Sequence, residues 1–273
     1  MPPTIFIGDV HGRSDLLLEL LSKIQTLYGD CNLYHLGDLV DRGSDSKGVI
    51  DLCLEHDIQG ILGNHEIWLH KLLATGEFDP FALDKHIQGG ATLDSYGVHQ
   101  HRPNEEVAQQ MLEAVPASHR DYILSLPVWR RVEAGGKVYR LIHTGLKQET
   151  AEAFLPAAMN YANLHGKEVN DTLVDLIAEH SPAHILWLGN SWKNPQLYAF
   201  TDGSVQVLGH SPTPHGEPYV TPHWVAVDCG CGVRRSVLGG FVVLPDGSTE
   251  TVTVNGVNAK GVGKAALFTD FTM

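Results

Sequence analysis

Three short apolar runs near the amino end each stop at a glycine and pass at once into a loop rich in acid, imidazole or amide side chains. Ile5-Phe6-Ile7 leads into Gly8-Asp9-Val10-His11-Gly12. Leu33 to Leu36 leads into Gly37-Asp38-Leu39-Val40-Asp41-Arg42-Gly43, and Ile58 to Leu62 into Gly63-Asn64-His65-Glu66. Between the runs, Ser14 precedes an apolar pattern through Leu17, Leu20, Leu21, Ile24 and Leu27 that ends at Gly29, and a second helix is expected over about Ser46 to Glu55. Strand, loop and helix in repetition make two β-α-β crossovers and a parallel sheet, and open parallel sheets bind ligands at the carboxyl ends of their strands. All three polar loops leave those ends.

The segment from about Gly76 to Leu126, with a helix expected from Glu105 to Val115, reads as a helical insertion over the site. From Lys137 onward the apolar runs are strand-like: Val138 to Ile142, Ile185 to Leu188, Val205 to Leu208, Trp224 to Val227, Phe241 to Leu244 and Thr251 to Val254. Helical periodicity interrupts them over about residues 149–180, a second insertion. The fold class expected is α/β, one domain over residues 1–273 with two packed sheets, the later strands forming the second sheet. Hydrophobic residues at 43% suffice for such a core. A net charge of -13 argues against a surface that tracks nucleic acid. No apolar stretch approaches the roughly 20 residues that span a bilayer, and the amino end carries no basic leader, so a soluble, cytoplasmic protein with no membrane partner is expected. Cys31, Cys53, Cys229 and Cys231 lack the spacing of a zinc ribbon and read as reduced thiols.

Carboxylate, imidazole and amide in the same loops suit borderline and harder divalent ions, whereas a soft thiolate site would need cysteines that these loops lack. The loops resemble the signature of the calcineurin-like metallophosphoesterases, in the phosphoprotein-phosphatase branch whose second motif ends in Asp-Arg-Gly. Leu141-Ile142-His143-Thr144-Gly145-Leu146 and Leu208-Gly209-His210-Ser211-Pro212 resemble two further motifs of that family. Gly89-Gly90-Ala91-Thr92-Leu93-Asp94-Ser95-Tyr96-Gly97 and Asp228-Cys229-Gly230 resemble bacterial and phage enzymes, among them phage-type Ser/Thr protein phosphatases and symmetrical diadenosine tetraphosphatases. The fold so implied is a four-layer sandwich, two mixed sheets flanked by helices.

The resemblance implies two divalent metal ions, Asp9 and His11 on one, Asn64, His143 and His210 on the other, and Asp38 bridging them. Manganese is the expected ion, with iron, zinc, nickel and cobalt as alternatives. A hydroxide held by the pair would attack phosphorus directly, with no covalent enzyme intermediate. His65, oriented by Asp41, would protonate the leaving oxygen, while Arg42 and Asn64 would hold the phosphate. Many relatives carry a second phosphate-gripping arginine in a Trp-x-Arg motif, where this chain reads Trp187-Leu188-Gly189. Hydrolysis of phosphomonoesters, on protein or small molecules, is the first expectation. Dinucleoside polyphosphates are the alternative substrates, and a non-catalytic metal-dependent phospholigand-binding protein is the third reading. The oligomeric state is left open. His35 reads as a core residue, and Asp228 either orients a ligand histidine or caps a turn.

Overall fold

The computed structural model describes residues 1–187, 196–233 and 236–256, and the backbone of 262–264. Strand β1 (Thr4–Ile7) is buried along its whole length and pairs in parallel with β2 (Asn32–His35). The connection is α1 (Ser14–Tyr28), which buries Leu16, Leu17, Leu20, Leu21 and Ile24 at helical spacing and ends at Gly29 with φ of 68°. Helix α2 (Ser46–Glu55) starts where the Asp45 carboxylate accepts from the Gly48 amide at 2.9 Å, an N-cap, and leads to β3 (Gln59–Gly60). The third strand is shorter than Ile58 to Leu62. The Leu62 amide already bonds the Pro127 carbonyl at 2.8 Å, so the chain has left the ladder by that point.

Helix α3 (Glu66–Thr75), a 3₁₀ turn over Pro80–Leu83, α4 (Gly90–Ser95), α5 (Glu105–Ala114) and α6 (Ala117–Ser125) follow. Trp68, Leu69, Leu72, Val107, Met111 and Ile123 join them to the core under α1 and α2. Strands β4 (Trp129–Ala134) and β5 (Lys137–Ile142) form an antiparallel hairpin. The first of these was not expected, because Arg130, Arg131 and Glu133 hide its apolar alternation. Helices α7 (Gln148–His165), α8 (Val169–His180) and α9 (Ala183–Leu186) come next. Ile185 and Leu186, expected in a strand, are helical: both amides bond the Pro182 carbonyl at 3.1 Å, one turn back. Leu188 and Gly189 lie outside the described residues. Strands β6 (Val205–Leu208), β7 (Tyr219–Val220), β8 (Trp224–Ala226), β9 (Val237–Val243), β10 (Thr249–Asn255) and β11 (Val262–Lys264) complete the chain.

The strands make a six-stranded sheet in the order β11-β10-β9-β1-β2-β3 and a five-stranded sheet in the order β4-β5-β6-β8-β7. The later strands therefore do not all enter the second sheet. Strand β9 returns antiparallel to β1, with Phe241 opposite Phe6 and Val242 opposite Ile5. This pairing satisfies backbone groups on the buried free edge of β1 that water could not reach. Phe6, Leu36, Tyr139, Leu141, Val207, Val225 and Phe241 fill the space between the sheets, and the ring centroids of Phe6 and Tyr139 lie 5.3 Å apart. Helices α7 and α8 cover the outer face of the second sheet through Ile142, Leu173, Val174 and Ile177. The result is the expected four-layer α/β sandwich. No helix among the described residues is long and apolar enough to cross a membrane.

Candidate functional site

Five loops that leave β1, β2, β3, β5 and β6 are laced together at one end of the two sheets. The amides of Val10 and His11 bond the Asp38 carbonyl at 3.0 and 2.9 Å, Gly209 N bonds the His143 carbonyl at 2.9 Å, and His210 N bonds Asp9 Oδ2 at 2.9 Å. The buried Glu66 carboxylate, at the start of α3, accepts the amides of Asp38, Leu39, Val40 and Gly63 at 2.7 to 3.2 Å. It thereby fastens the second loop to the third. Burial and the nearby Asp38 push Glu66 up to about 7, against the pull of those amides. His11, Asp38, Asp41, Arg42 and His210 are five of the eight non-glycine residues with positive φ among the described residues. Backbone strain is thus concentrated where side chains must be aimed.

The site holds two overlapping clusters, His11, Asp38 and His65 in one, and Asp38, His143 and His210 in the other. Asp38 Oδ2 lies 3.7 Å from His11 Nε2, and Asp38 Oδ1 lies 3.3 Å from His143 Nε2. The imidazole tautomers follow from their outer bonds. His11 Nδ1 donates to the Val40 carbonyl at 3.1 Å and His143 Nδ1 to the Leu36 carbonyl at 2.7 Å. Each ring then presents its Nε2 lone pair inward, as metal-binding histidines do. Asn64 Oδ1 stands 3.0 Å from His143 Nε2 and 2.8 Å from His210 Nδ1.

Whether this set fits a cation can be decided from what it leaves unsatisfied. Asp9 Oδ1 is buried and has no hydrogen-bond partner among the described residues. A Cβ at position 209 would overlap that same oxygen, so only glycine leaves it room. Burial, then Asp228 and Asp38, push Asp9 well above the usual carboxylate range. Burial, then His143, holds His210 down at about 4, in its neutral form. Acceptor lone pairs from His11, Asp38, Asn64, His143 and His210 face one another across the two clusters, with the unpartnered Asp9 Oδ1 in the same loop as His11 while His65 stands with His11 and Asp38 themselves; such a set is the chemistry of a divalent-ion site. The residues present fit two such ions.

Asp41 and His65 are built differently. His65 Nδ1 donates to Asp41 Oδ2 at 2.9 Å, and its Nε2 points toward Asp38 Oδ2 at 3.9 Å. Burial, which alone would lower the His65 pKa, is outweighed by Asp38 and Asp41, which hold it above the ordinary value. Asp41 also accepts from Trp68 Nε1 at 3.1 and 3.3 Å and from the Thr92 hydroxyl at 2.7 Å. Arg42 Nη1 donates to His11 Nε2 at 2.7 Å, and its Nη2 to the His86 carbonyl at 3.4 Å. Thr92 and Trp68 carried no role in the sequence reading. The i, i+3 spacing of His65 and Trp68 on one helix face could have flagged the indole, whereas nothing local flags a threonine 51 positions from its partner. His35 is buried in the core, with Nδ1 accepting from Gly37 N at 3.1 Å. Asp228 caps its own turn by accepting from Gly230 N at 2.8 Å. All four cysteines are free thiols.

Comparison with known proteins gives a consistent picture. The family model described as calcineurin-like phosphoesterase matches residues 2–223. A symmetrical bis(5'-nucleosyl)-tetraphosphatase from Acidovorax sp. (strain JS42) is 32% identical over 157 residues, 56% of this chain and 47% of that protein. A symmetrical bis(5'-nucleosyl)-tetraphosphatase from Neisseria gonorrhoeae (strain NCCP11945) is 35% identical over 97 residues, 32% of this chain and 34% of its own length. The chain thus spans about half the length of the first of these curated relatives and about a third of the second. In structure, it is similar to a putative diadenosine tetraphosphatase, with a TM-score of 0.56, 19% identity and coverage of 93% of this chain and 95% of that one.

Proposed function

The chain belongs to the calcineurin-like phosphoesterase family, and on that premise we propose that it is a metal-dependent hydrolase of phosphorus–oxygen bonds whose substrates are dinucleoside polyphosphates. The observation that carries the hydrolase reading is the position of Asp38, whose two carboxylate oxygens face the two histidine clusters. Asp9 and His11 would hold one divalent ion, and Asn64, His143 and His210 the other, with Asp38 between them. Bound there, the ions supply Lewis-acid stabilisation of the negative charge that builds on the phosphoryl oxygens. The absence of a thiolate from the set disfavours soft ions; among those that suit carboxylate, imidazole and amide, manganese is the ion we propose, with iron, zinc, nickel or cobalt as substitutes.

The chain's own groups supply binding and the proton. The Arg42 guanidinium, at the edge of the His11 cluster, matches phosphate oxygens two at a time, and the Asn64 amide stands beside them. His65 donates the Nε2 proton to the leaving oxygen as the phosphorus–oxygen bond breaks, while Asp41 keeps the ring oriented through Nδ1. Phosphomonoesters were the first expectation from the motifs. The nucleosyl-tetraphosphatase relatives favour the anhydride reading instead, since the same groups serve either bond.

The test compares diadenosine tetraphosphate with a phosphoserine peptide at equal enzyme and manganese. Conversion of the dinucleotide to two molecules of adenosine diphosphate, with the peptide left intact, is the expected result. Dephosphorylation of the peptide with the dinucleotide untouched would return the phosphomonoester reading.

A further inference from the structure

The hydroxyl of Thr92 makes three contacts, all of them in the site. It donates to Asp41 Oδ1 at 2.7 Å, accepts from the Asp41 amide at 2.9 Å, and lies 3.0 Å from Ser46 Oγ, which itself accepts from that amide at 3.1 Å. The protons are accounted for if Ser46 donates to Thr92 and Thr92 donates to the carboxylate. Trp68 Nε1 reaches both carboxylate oxygens from the other side. Asp41 is completely buried, and it and Arg42 are consecutive left-handed residues, with φ of 71° and 66°. Such a pair persists only where its surroundings over-determine it.

Thr92 belongs to the segment that follows α3, and α4 carries it in on a braced frame. A Cβ at Gly89 would stand 3.2 Å from the Trp68 indole and 2.7 Å from the Ala82 carbonyl, so a glycine lets the start of α4 lie directly against that ring. On the far side, Lys47 N bonds Ser95 Oγ at 3.2 Å. Tyr96 OH meets Nδ1 of the buried His119 at 2.9 Å, and His119 Nε2 meets Asp51 of α2 at 2.9 Å. These contacts tie the ends of α4 to α2, α3 and α6, the last of which is itself bonded to α2 through His119 and Asp51.

We propose that Thr92, seconded by Trp68, is a positioning residue for proton delivery: it fixes the Asp41 carboxylate, and through it the ring of His65, so that Nε2 faces the leaving oxygen. The proposal rests on the hydrolase reading above. On this view the segment carrying α4 is a brace for the proton donor. The proton passes from His65 Nε2 to the departing oxygen, and Thr92 keeps its own proton on the Asp41 side throughout.

The experiment uses Thr92→Val, which keeps the shape and removes the hydroxyl, beside Thr92→Ser, which restores it, and Trp68→Phe. Each full-length, manganese-loaded variant is assayed on 4-nitrophenyl phosphate and on phenyl phosphate, whose leaving groups differ in their need for a proton. Bound manganese is counted by elemental analysis. For Thr92→Val we expect kcat on phenyl phosphate to fall about 10- to 100-fold, a part of the roughly 10²- to 10⁴-fold that a positioned general acid contributes, with a much smaller loss on the nitrophenyl ester. KM and manganese content should stay at wild-type values, Thr92→Ser should recover most of the rate, and Trp68→Phe should shift the leaving-group ratio in the same direction. Equal losses on the two esters, a change confined to KM, or a serine variant no better than valine would overturn the proposal while leaving the hydrolase reading intact. Where wild type turns over only diadenosine tetraphosphate, the kcat loss in Thr92→Val and its recovery in Thr92→Ser are read on that substrate, and turnover of none of the three would remove the premise itself.

Discussion

Two buried polar clusters in this molecule are made of the same kinds of groups and are finished in opposite ways. Under α8, Arg140 is 1% exposed, yet its guanidinium is fully engaged. Nε and Nη2 donate to Asp171 at 3.0 and 2.6 Å, Nη1 donates to Asp202 and to Ser204, and the charge lies 4.5 Å from the centre of the Phe200 ring. At the loop cluster, by contrast, Asp9 Oδ1 is unpartnered among the described residues and several lone pairs face one another. Burial of charge therefore does not mark a site in this chain. What marks it is incomplete satisfaction gathered among several acceptors at one place, since single unpartnered atoms such as His35 Nε2 and Arg120 Nε also occur away from it among the described residues.

The sharpest way to break that comparison is Asp38→Asn, which removes the charge facing both histidine clusters. We expect kcat to fall about 10³-fold, with the metal-free melting temperature close to wild type, since the asparagine Oδ1 can still accept the His65 amide. A large loss of stability would put this cluster in the same structural class as Arg140. The reciprocal change, Arg140→Met, removes the buried cation from Asp171 and Asp202, which keep part of their surface in water, and chemical denaturation should show a loss of about 1.5–3 kcal/mol. Activity per folded molecule should hold, and a selective loss of kcat would join the two clusters.

Next, stripping divalent ions should lower the unfolding free energy by about 2.7 kcal/mol for each ion relative to protein held at a hundredfold excess over the dissociation constant. Calorimetry with and without chelator reads this, and an Asp9→Asn protein should show much less of it. The smallest effect concerns Asp202. Burial would raise its pKa, but hydrogen bonds from Ser204 and Arg140 outweigh burial and hold it at about 2. A depressed folded value means that the stabilisation is present above the unfolded pKa of about 3.9 and is lost as pH falls toward 2. Melting curves between pH 5 and 2, to be compared on the scale of those reference values, should converge for wild type and Asp202→Asn at the acid end; parallel curves would count against the assignment.

Much of the first sheet was legible because β1, α1, β2 and α2 are continuous in sequence and each carries its own period and its own stop, such as Gly29 after Ile24. The loop residues were legible for a related reason: Asp9, His11, Asp38, Asn64 and His65 follow short strands directly, so their chemistry and their place arrive together. Ile185 and Leu186 misled because a short apolar run has no period long enough to distinguish a helical turn from a strand. β4 was hidden by its outward-facing charges; β9 was legible as a strand, but its place in the first sheet was hidden by the distance in sequence to the partner it needs.

The amino-acid sequence by itself determined which residues could donate electron pairs to a cation, which strands would carry them, and that the segment after α3 would be helical. It could do so because side-chain chemistry, hydrophobic period and turn glycines act over a few residues. The tertiary structure alone decided that β9 closes the free edge of β1, that Asp9 Oδ1 is left without a partner among the described residues, and that Thr92 and Trp68 converge on Asp41. Those outcomes depend on hydrogen-bond satisfaction and close packing between segments from 27 to more than 200 positions apart, and no local pattern encodes a distance across the fold.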